Sequence, residues 1–446
     1  MADENSIAGR VRRYAQVGTA VGGLAARLAG ERYLGIGIDR NVHAADLKAA
    51  LGGLKGPLMK VAQILSSIPD ALPKEYVQEL AQLQANAPAM GWPFVKRRMA
   101  GELGPNWQSR FKSFEQSAAR AASLGQVHRA VSLDGRNLAC KLQYPDMASA
   151  VEADLSQLKL ILSLFERYDN SVSTEQIYAE LSERLREELD YQLEAQHLAL
   201  YRRVLADEPG VHVPETLAEL STKRLLTMTW IEGVPIVDHV SSPPEIRAAI
   251  AMNMFRAWYR PIYDYGVIHG DPHFGNYTVR QDYSINLLDF GCIRVFPPHF
   301  VGGVIDLYRA IQNDDDELAV HAYTVWGFKN LSREMIEALN IWARFLYAPI
   351  LDNRRRKIDE SGSGNYGREQ AEKVHGELKR LGGITPPREF VFMDRAAVGL
   401  GALFLRLKAE INWYEVFQDL VGGFDVAALA ARQTQVLAET GVPLPR

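Results

Sequence analysis

Residues 267–276 read Val-Ile-His-Gly-Asp-Pro-His-Phe-Gly-Asn, and a short apolar run then leads into Asp289-Phe290-Gly291. Asp271 belongs to a His-Gly-Asp loop, Asn276 stands five residues later, and Asp289 follows the apolar run 285–288 at the end of a predicted strand. In phosphoryl transfer from ATP, one carboxylate orients the acceptor, while an amide oxygen and a second carboxylate hold Mg²⁺ on the phosphates. Asp-Phe-Gly alone is a weak signal, but the composite with fixed order and spacing is specific. We expect His269 to brace the loop backbone.

Composition limits the classes of protein that this chain can represent. The 446 residues are 47% hydrophobic and 23% charged, which is typical of globular proteins with more than one core. A net charge of -4 gives no basic field for nucleic acid. Two cysteines cannot form a disulfide framework, and the chain start lacks a secretory pattern. We therefore expect a cytoplasmic protein without a nucleic-acid partner.

Helices are predicted at 7–33 and within 45–90. Residues 7–33 have the apolar periodicity of an amphipathic helix with several arginines, which could lie on a membrane surface or on the protein's own body. A peripheral contact at the inner face of a membrane therefore remains open. Residues 45–90 carry Lys60 and Gln63, which are three positions apart and hence on one face of a helix.

Three antiparallel strands are predicted at 111–117, 126–133 and 137–143, with Asp134-Gly135 as the turn between the last two. Residues 118–125 form an alanine-rich loop where a nucleotide-binding kinase would carry a glycine-rich one. Alanine disfavours positive φ, so this loop should be stiffer. In the third strand, Lys141 occupies the position of a phosphate-pairing lysine, and Ala139 would lie over the adenine.

A long helix is predicted over 175–205, where Glu188 and Glu194 would point about 120° apart and Asp190 would share a face with Glu194. This helix could offer one carboxylate to Lys141 and another to a different partner. The alternative is a solvated, salt-bridged helix.

Two further strands are predicted at 211–218 and 225–230, and the second ends in a hinge at 231–233. A helix at 243–265 precedes the Asp271 loop, and the chain beyond 299 is mostly helical, with 396–407 as a buried helix. Because Pro297-Pro298 follows closely after Asp289-Phe-Gly, the long activation segment of a protein kinase is missing.

Taken in order, these features resemble the UbiB/COQ8 family, also called the ABC1 or ADCK atypical kinases, over residues 45–300. The family's Lys-x-Gly-Gln motif is Lys60-Val61-Ala62-Gln63 here, with Ala62 in place of Gly. The alanine-rich motif is residues 120–128, Arg-Ala-Ala-Ser-Leu-Gly-Gln-Val-His, with Arg120 in place of Ala. The Glu-x-Asp motif is Glu188-Leu189-Asp190, and the Asp271 loop and Asp-Phe-Gly match fully.

The resemblance implies an α+β, bilobal protein-kinase-like fold, with an N-terminal helical extension over the active site and a mostly helical C-terminal lobe. We predict an amphipathic segment at 1–44 and a helical extension at 45–110. The N-lobe is predicted at 111–233 and the C-lobe at 234–446.

The resemblance also implies the site residues. Asp271, Lys141 and Glu194 would be catalytic, with Glu194 paired to Lys141, and Asn276 and Asp289 would ligate Mg²⁺. Lys60 and Gln63 would meet Glu188 and Asp190 and close the site against protein substrates. The residues assigned to nucleotide binding are Ala121, Ala122, Ser123, Gly125, Ala139, Lys141, Met228 and Glu232.

The expected function is that of an atypical kinase-like ATPase or phosphotransferase that uses ATP and Mg²⁺ and supports ubiquinone or other isoprenoid-lipid metabolism. A lipid or quinone precursor is the expected ligand. One alternative is a small-molecule phosphotransferase of the aminoglycoside or choline kinase type, which needs neither the Lys60/Gln63 segment nor an alanine-rich loop. The other alternative is a nucleotide-binding scaffold, which usually lacks one of the four residues Lys141, Asp271, Asn276 and Asp289.

Overall fold

The computed structural model describes residues 90–445 except 123, 154, 157, 158, 160–173, 361–365, 383 and 385. The predicted segment 7–33 and the Lys60/Gln63 motif lie outside this part of the chain. The described residues form two compact units. The first contains the described residues up to Gln192 together with Thr216–Trp230, and the second contains Leu193–Glu215 and the described residues from Ile231 onward.

The first unit is built on an antiparallel sheet with strand order β1-β3-β4-β6, in which β2 also pairs with β3. Its strands are β1 (Phe111–Phe114), β2 (Arg120–Ala122), β3 (Gly125–Ser132), β4 (Asn137–Gln143) and β6 (Leu225–Thr229). The three predicted strands are confirmed, and Gly135 adopts φ 91° in the turn between β3 and β4. The prediction of a loop throughout 118–125 is wrong, because Arg120, Ala121 and Ala122 pair with β3 and extend the ladder.

One face of helix α1 (Trp92–Leu103) packs into the hydrophobic core of this unit. Its buried residues Val95, Met99 and Leu103 are four positions apart and hence lie on one face. They belong to one hydrophobic cluster with residues of the sheet, of the turn before β1 and of the segment before β6: Trp107, Phe111, Ala130, Leu138, Cys140, Leu142, Leu217, Leu220 and Leu225.

The single helix predicted over 175–205 is wrong, because the chain forms α2 (Thr174–Glu187) and α3 (Tyr191–Val204). The break falls at residues 188–190. Asp190 accepts a hydrogen bond from the Gln192 N–H through Oδ1 (3.1 Å), as a short carboxylate does at the start of a helix. The predicted angles of Glu188 and Asp190 relative to Glu194 therefore do not apply.

The second unit contains two small sheets. One has the order β5-β10-β9-β7, formed by β5 (Val211–His212), β7 (Val234–Pro235), β9 (Tyr277–Val279) and β10 (Ile285–Leu287). The other pairs β8 (Val267–His269) with β11 (Ile293–Val295). The strand predicted at 211–218 is reduced to β5, which runs parallel to β10.

Helices make up most of the remaining second unit, as predicted. They are α4 (Pro244–Tyr265), α5 (Pro298–Asn313), α6 (Asp316–Val325), α7 (Arg333–Leu351), α8 (Tyr366–Arg380), α9 (Arg388–Leu407), α10 (Trp413–Val421) and α11 (Val426–Thr440). The predicted buried helix is confirmed within α9, where Ala396, Leu400 and Leu403 are at most 1% exposed. Among the described helices, none combines the length and the apolar character needed to cross a bilayer.

The end of α4 directs the chain into the Asp271 loop. Gly266 ends the helix with φ 66°, and a Cβ at this position would lie 2.8 Å from the Phe296 carbonyl oxygen. Glycine satisfies both the left-handed backbone and the close approach. Strand β8 starts at the next residue and carries His269 to the loop.

Candidate active site

The Asp271 loop is held against the segment that follows Asp289. The Gly270 N–H donates to the Cys292 carbonyl oxygen over 2.6 Å. A Cβ on residue 270 would lie 2.8 Å from Cys292 Sγ and 3.0 Å from that carbonyl oxygen. The glycine of His-Gly-Asp is therefore required by the close approach of two backbone segments.

His269 joins the two carboxylate-bearing segments through their backbones. Its Nε2 atom lies 2.7 Å from the Asp289 carbonyl oxygen, and its Nδ1 atom accepts from the Asp271 N–H at 3.2 Å. Since a carbonyl can only accept, Nε2 carries the proton and the ring is neutral. The predicted bracing role of His269 is confirmed. The side chain is 1% exposed and has four aromatic neighbours: Tyr201, Trp258, Tyr277 and Phe290.

Asn276 is fixed at the other end of the loop. Its Nδ2 donates to the Asp271 carbonyl oxygen at 3.3 Å, and the Tyr277 hydroxyl donates to the same oxygen at 3.1 Å. Leu288, the residue before Asp289, donates its N–H to the Asn276 carbonyl oxygen at 3.0 Å. The β9–β10 pairing, in which Leu287 faces Tyr277, thus brings the two predicted metal ligands to one end of the hairpin.

Asp289 and Phe290 are also fixed by hydrogen bonds. Asp289 Oδ1 accepts from the Gly291 N–H at 2.9 Å, and the Phe290 carbonyl oxygen lies 3.1 Å from His197 Nδ1. Burial, with smaller contributions from Arg294 and His269, lowers the pKa of His197 to about 4. The neutral ring therefore donates to Phe290. Sequence reasoning missed His197, although its position on the apolar face of α3 was a usable signal.

Lys141 lies in β4, between Val127 of β3 and Leu226 of β6. The residue is only 7% exposed, and its Nζ atom is 5.2 Å from the centroid of the Tyr191 ring. A buried ammonium needs compensating charge or π-electron density, which makes this position unusual for a purely structural lysine.

Two residues predicted to bind nucleotide pair with each other across strands of the first unit. Ala139 pairs with Met228 across β4 and β6, and both are nearly buried. Gly125 begins β3 opposite Gln143, and a Cβ there would overlap the Leu142 carbonyl group. Ala121 and Ala122 lie in β2, whereas Ser123 is outside the described residues.

The Gln-Val-His end of the alanine-rich motif anchors the start of α1. Gln126 Oε1 accepts from the Met90 N–H at 2.5 Å, and its Nε2 donates to the Met90 carbonyl oxygen at 3.3 Å and to His128 Nε2 at 2.7 Å. His128 Nδ1 lies 2.9 Å from the Glu115 carbonyl oxygen. Burial lowers the pKa of His128, which favours the neutral ring that this arrangement needs.

The remaining predicted residues are distributed over both units. Glu194 is buried on α3 in the second unit, and the Glu232 carbonyl oxygen accepts from Asn286 Nδ2 at 2.9 Å. Asp190 Oδ2 lies 3.6 Å from Lys223 Nζ, and Glu188 is half-buried in the break before α3. Because Lys60 and Gln63 lie outside the described residues, the gating contacts stay a prediction, as does the Lys141–Glu194 pair.

Fold and site together define an atypical kinase-like protein. Residues 82–323 match the ABC1 atypical kinase-like domain family. The chain belongs to this family, and the predicted α+β, two-lobed kinase-like fold is confirmed.

Individual relatives are similar over most of their length. The mitochondrial atypical kinase COQ8 of Saccharomyces cerevisiae is 31% identical over 378 residues, which cover 82% of this chain and 74% of that protein. The mitochondrial atypical kinase COQ8B of Rattus norvegicus is 28% identical over 405 residues, covering 88% and 72%. The structure of the Rv3197–erythromycin complex from Mycobacterium tuberculosis has a TM-score of 0.60 at 27% identity and covers 83% of this chain and 93% of that one.

Proposed function

We propose that the chain is an atypical kinase-like ATPase or phosphotransferase that uses Mg-ATP and supports ubiquinone or other isoprenoid-lipid metabolism. The observation that carries the proposal is the hydrogen-bonded arrangement in the second unit that fixes Asp271, Asn276 and Asp289 together. The His269 ring hydrogen-bonds to the backbones of Asp271 and Asp289, and the Asn276 side-chain amide donates to the Asp271 carbonyl oxygen.

The donor set suits Mg²⁺, which prefers carboxylate and carbonyl oxygens. Asn276 uses its amide nitrogen on the Asp271 carbonyl, so its oxygen is the atom that would meet the metal. Asp289 is oriented by the Gly291 N–H. When bound, the metal would neutralise charge on the nucleotide phosphates.

The other proposed roles follow from charge and position. The Asp271 carboxylate would orient the attacking group, and the buried ammonium of Lys141 would pair with phosphate oxygens. Ala139 and Met228 would contact the adenine, since their paired backbones present small and flexible apolar side chains. Residues 121, 122, 123, 125 and 232 would complete the nucleotide contacts, and Glu194 would pair with Lys141.

The short segment after Asp289-Phe290-Gly291 favours a phosphoryl acceptor other than a folded protein. Helix α5 begins at Pro298, directly after β11, so residues 291–298 hold no long activation segment for docking a polypeptide. From the similarity to COQ8 kinases, the proposed acceptor is a lipid or quinone precursor. A peripheral contact with the membrane is proposed on the same basis.

The test is ATP hydrolysis by the purified chain, with and without liposomes that carry a phenolic quinone-precursor mimic. Turnover should require Mg²⁺ and rise with the liposomes. Asp289→Asn should abolish it, because the variant loses the charge of a metal ligand. Unchanged turnover in Asp289→Asn would refute the site assignment, and bound nucleotide without turnover under every condition would favour the scaffold.

A further inference from the structure

One face of α9 lies along the loop that carries Asp271. A Cβ on Gly399 would overlap Cγ of Pro272 and would lie 3.1 Å from its Cβ. Seven residues further along the helix, the Arg406 guanidinium carbon is 5.0 Å from the centroid of the Phe274 ring. Residues seven apart share a helix face, so this face meets the loop at two successive points.

Helix α9 is anchored along its length and cannot easily retreat from the loop. Near its start, the Phe390 ring packs 5.3 Å from the Trp326 ring and 5.1 Å from the Phe328 ring. Its middle is bound through Trp342 Nε1, which donates to Asp394 Oδ1 at 2.6 Å. Its end is held by Arg247 Nη1, which donates to the Leu407 carbonyl oxygen at 2.9 Å. A side chain added at residue 399 would therefore displace the loop before the helix.

Displacement of Pro272 would be passed on to Asp271. Proline fixes its own φ and restricts the backbone of the preceding residue, so the two residues move as a stiff pair. The carbonyl group that joins them accepts from Asn276 and Tyr277. A shift of the proline ring therefore disturbs both the acceptor-orienting carboxylate and the amide proposed to bind the metal.

We propose that Gly399 is a positioning residue of the active site. Because Gly399 has no side chain, α9 packs closely against Pro272 and thereby holds Asp271 and Asn276 in place. This inference rests on the proposed function and extends it to a helix that no motif of the kinase-like site includes. Arg406 supports the same loop through Phe274.

The helix supplies its own matched control. Gly401 is two positions from Gly399, on a different side of α9, and a Cβ there would meet nothing within 4 Å. Gly399→Ala and Gly401→Ala each replace glycine by the same better helix former, so only the contact with Pro272 distinguishes them. Pro272→Ala removes the ring atom that the new methyl group would overlap.

The experiment uses the full chain and two readouts: the kcat and KM of Mg-ATP hydrolysis, and amide hydrogen exchange of peptides covering residues 267–278. Gly399→Ala should lower kcat by about tenfold or more, because small displacements of catalytic groups are costly. It should also speed exchange in these peptides and leave KM for ATP within about twofold of its original value. Gly401→Ala should change neither readout.

A double variant tests whether the effect of Gly399→Ala depends on the Pro272 ring, and other outcomes would overturn the inference. In the Pro272→Ala background, Gly399→Ala should lower kcat by less than twofold, as expected for two groups coupled by one contact. Equal exchange in the two glycine variants, or an equal loss of kcat in both, would overturn the inference. If the unmodified chain shows no turnover, the proposed function is refuted. If hydrogen exchange is then still faster in Gly399→Ala alone, the contact between α9 and the Asp271 loop is supported.

Discussion

The Nε2 atom of His269 lies 2.7 Å from the backbone carbonyl oxygen of Asp289. The same ring accepts from the Asp271 N–H, so one neutral imidazole connects the backbones of the proposed catalytic residue Asp271 and the proposed metal ligand Asp289. The connection uses main-chain atoms and leaves the two carboxylate groups to the proposed metal and acceptor.

His269→Ala should lower kcat for Mg-ATP hydrolysis by on the order of 10²-fold, because the two carboxylates lose their common support. It should also lower the free energy of unfolding by about 1–3 kcal/mol, since buried backbone groups lose their partners. Steady-state hydrolysis and urea unfolding measure the two effects. His321→Ala, at an exposed position on α6, is the control. A destabilised variant with unchanged kcat would show that the bridge is structural only.

Ala121→Gly should raise the affinity for nucleotide. Ala121 pairs with Gln126 in β2, and glycine should weaken this strand by about 0.5–1 kcal/mol relative to alanine. Where the segment must leave the strand to admit the nucleotide, the same free energy corresponds to roughly two- to fivefold tighter binding. Calorimetric titration with Mg-ADP measures the change, and increased self-phosphorylation would be a second sign. Ala148→Gly, at an exposed position, should bind as the original chain does. Equal affinity in both variants would contradict the prediction.

Spacing within short stretches correctly predicted the strand that carries Lys141 and the strand before it. The turn at Gly135 and the β3–β4 pairing both depend on contacts between near neighbours in the chain. Such contacts follow from alternation, turn chemistry and caps, which are visible in the sequence.

Two local features and one long-range contact were missed. The extended pairing of Arg120–Ala122 is decided by the free edge of β3, and the helix break at 188–190 by the cap that Asp190 provides. The contact of Gly399 with Pro272 joins segments far apart in sequence. Periodicity marks both sides of such a contact as buried, but it does not say which two surfaces meet.

Gly270→Ala should lower the free energy of unfolding by about 1–3 kcal/mol, because the added methyl group meets Cys292 Sγ and its carbonyl oxygen. Turnover should fall as well, since the 2.6 Å hydrogen bond from Gly270 to Cys292 would lengthen. Gly376→Ala on α8 has open space and should stabilise the chain by about 0.5–1 kcal/mol. Unfolding curves of the two variants that shift in the same direction would disprove the steric argument.

The burial of His197 makes stability depend on pH. Burial lowers the His197 pKa from 6.5 to about 4, so between these values the unfolded chain binds a proton that the folded chain does not. The contribution of His197 is therefore fully present above pH 6.5 and is lost as the pH falls toward 4. Burial raises the pKa of Asp394 to about 6, which acts in the opposite sense because its contribution is lost as the pH rises.

His197→Asn separates these two effects, since Asp394 is present in both proteins. Asparagine keeps a donor near the Phe290 carbonyl oxygen but does not titrate. Between pH 7 and pH 4.5 the original chain should lose about 2–3 kcal/mol more unfolding free energy than the variant, because one pKa unit corresponds to about 1.4 kcal/mol. Urea unfolding at both pH values gives the difference, and His321→Asn serves as the exposed control. Parallel pH profiles for the original chain and His197→Asn would mean that folding does not lower the pKa of His197, which would contradict the buried, neutral ring described above.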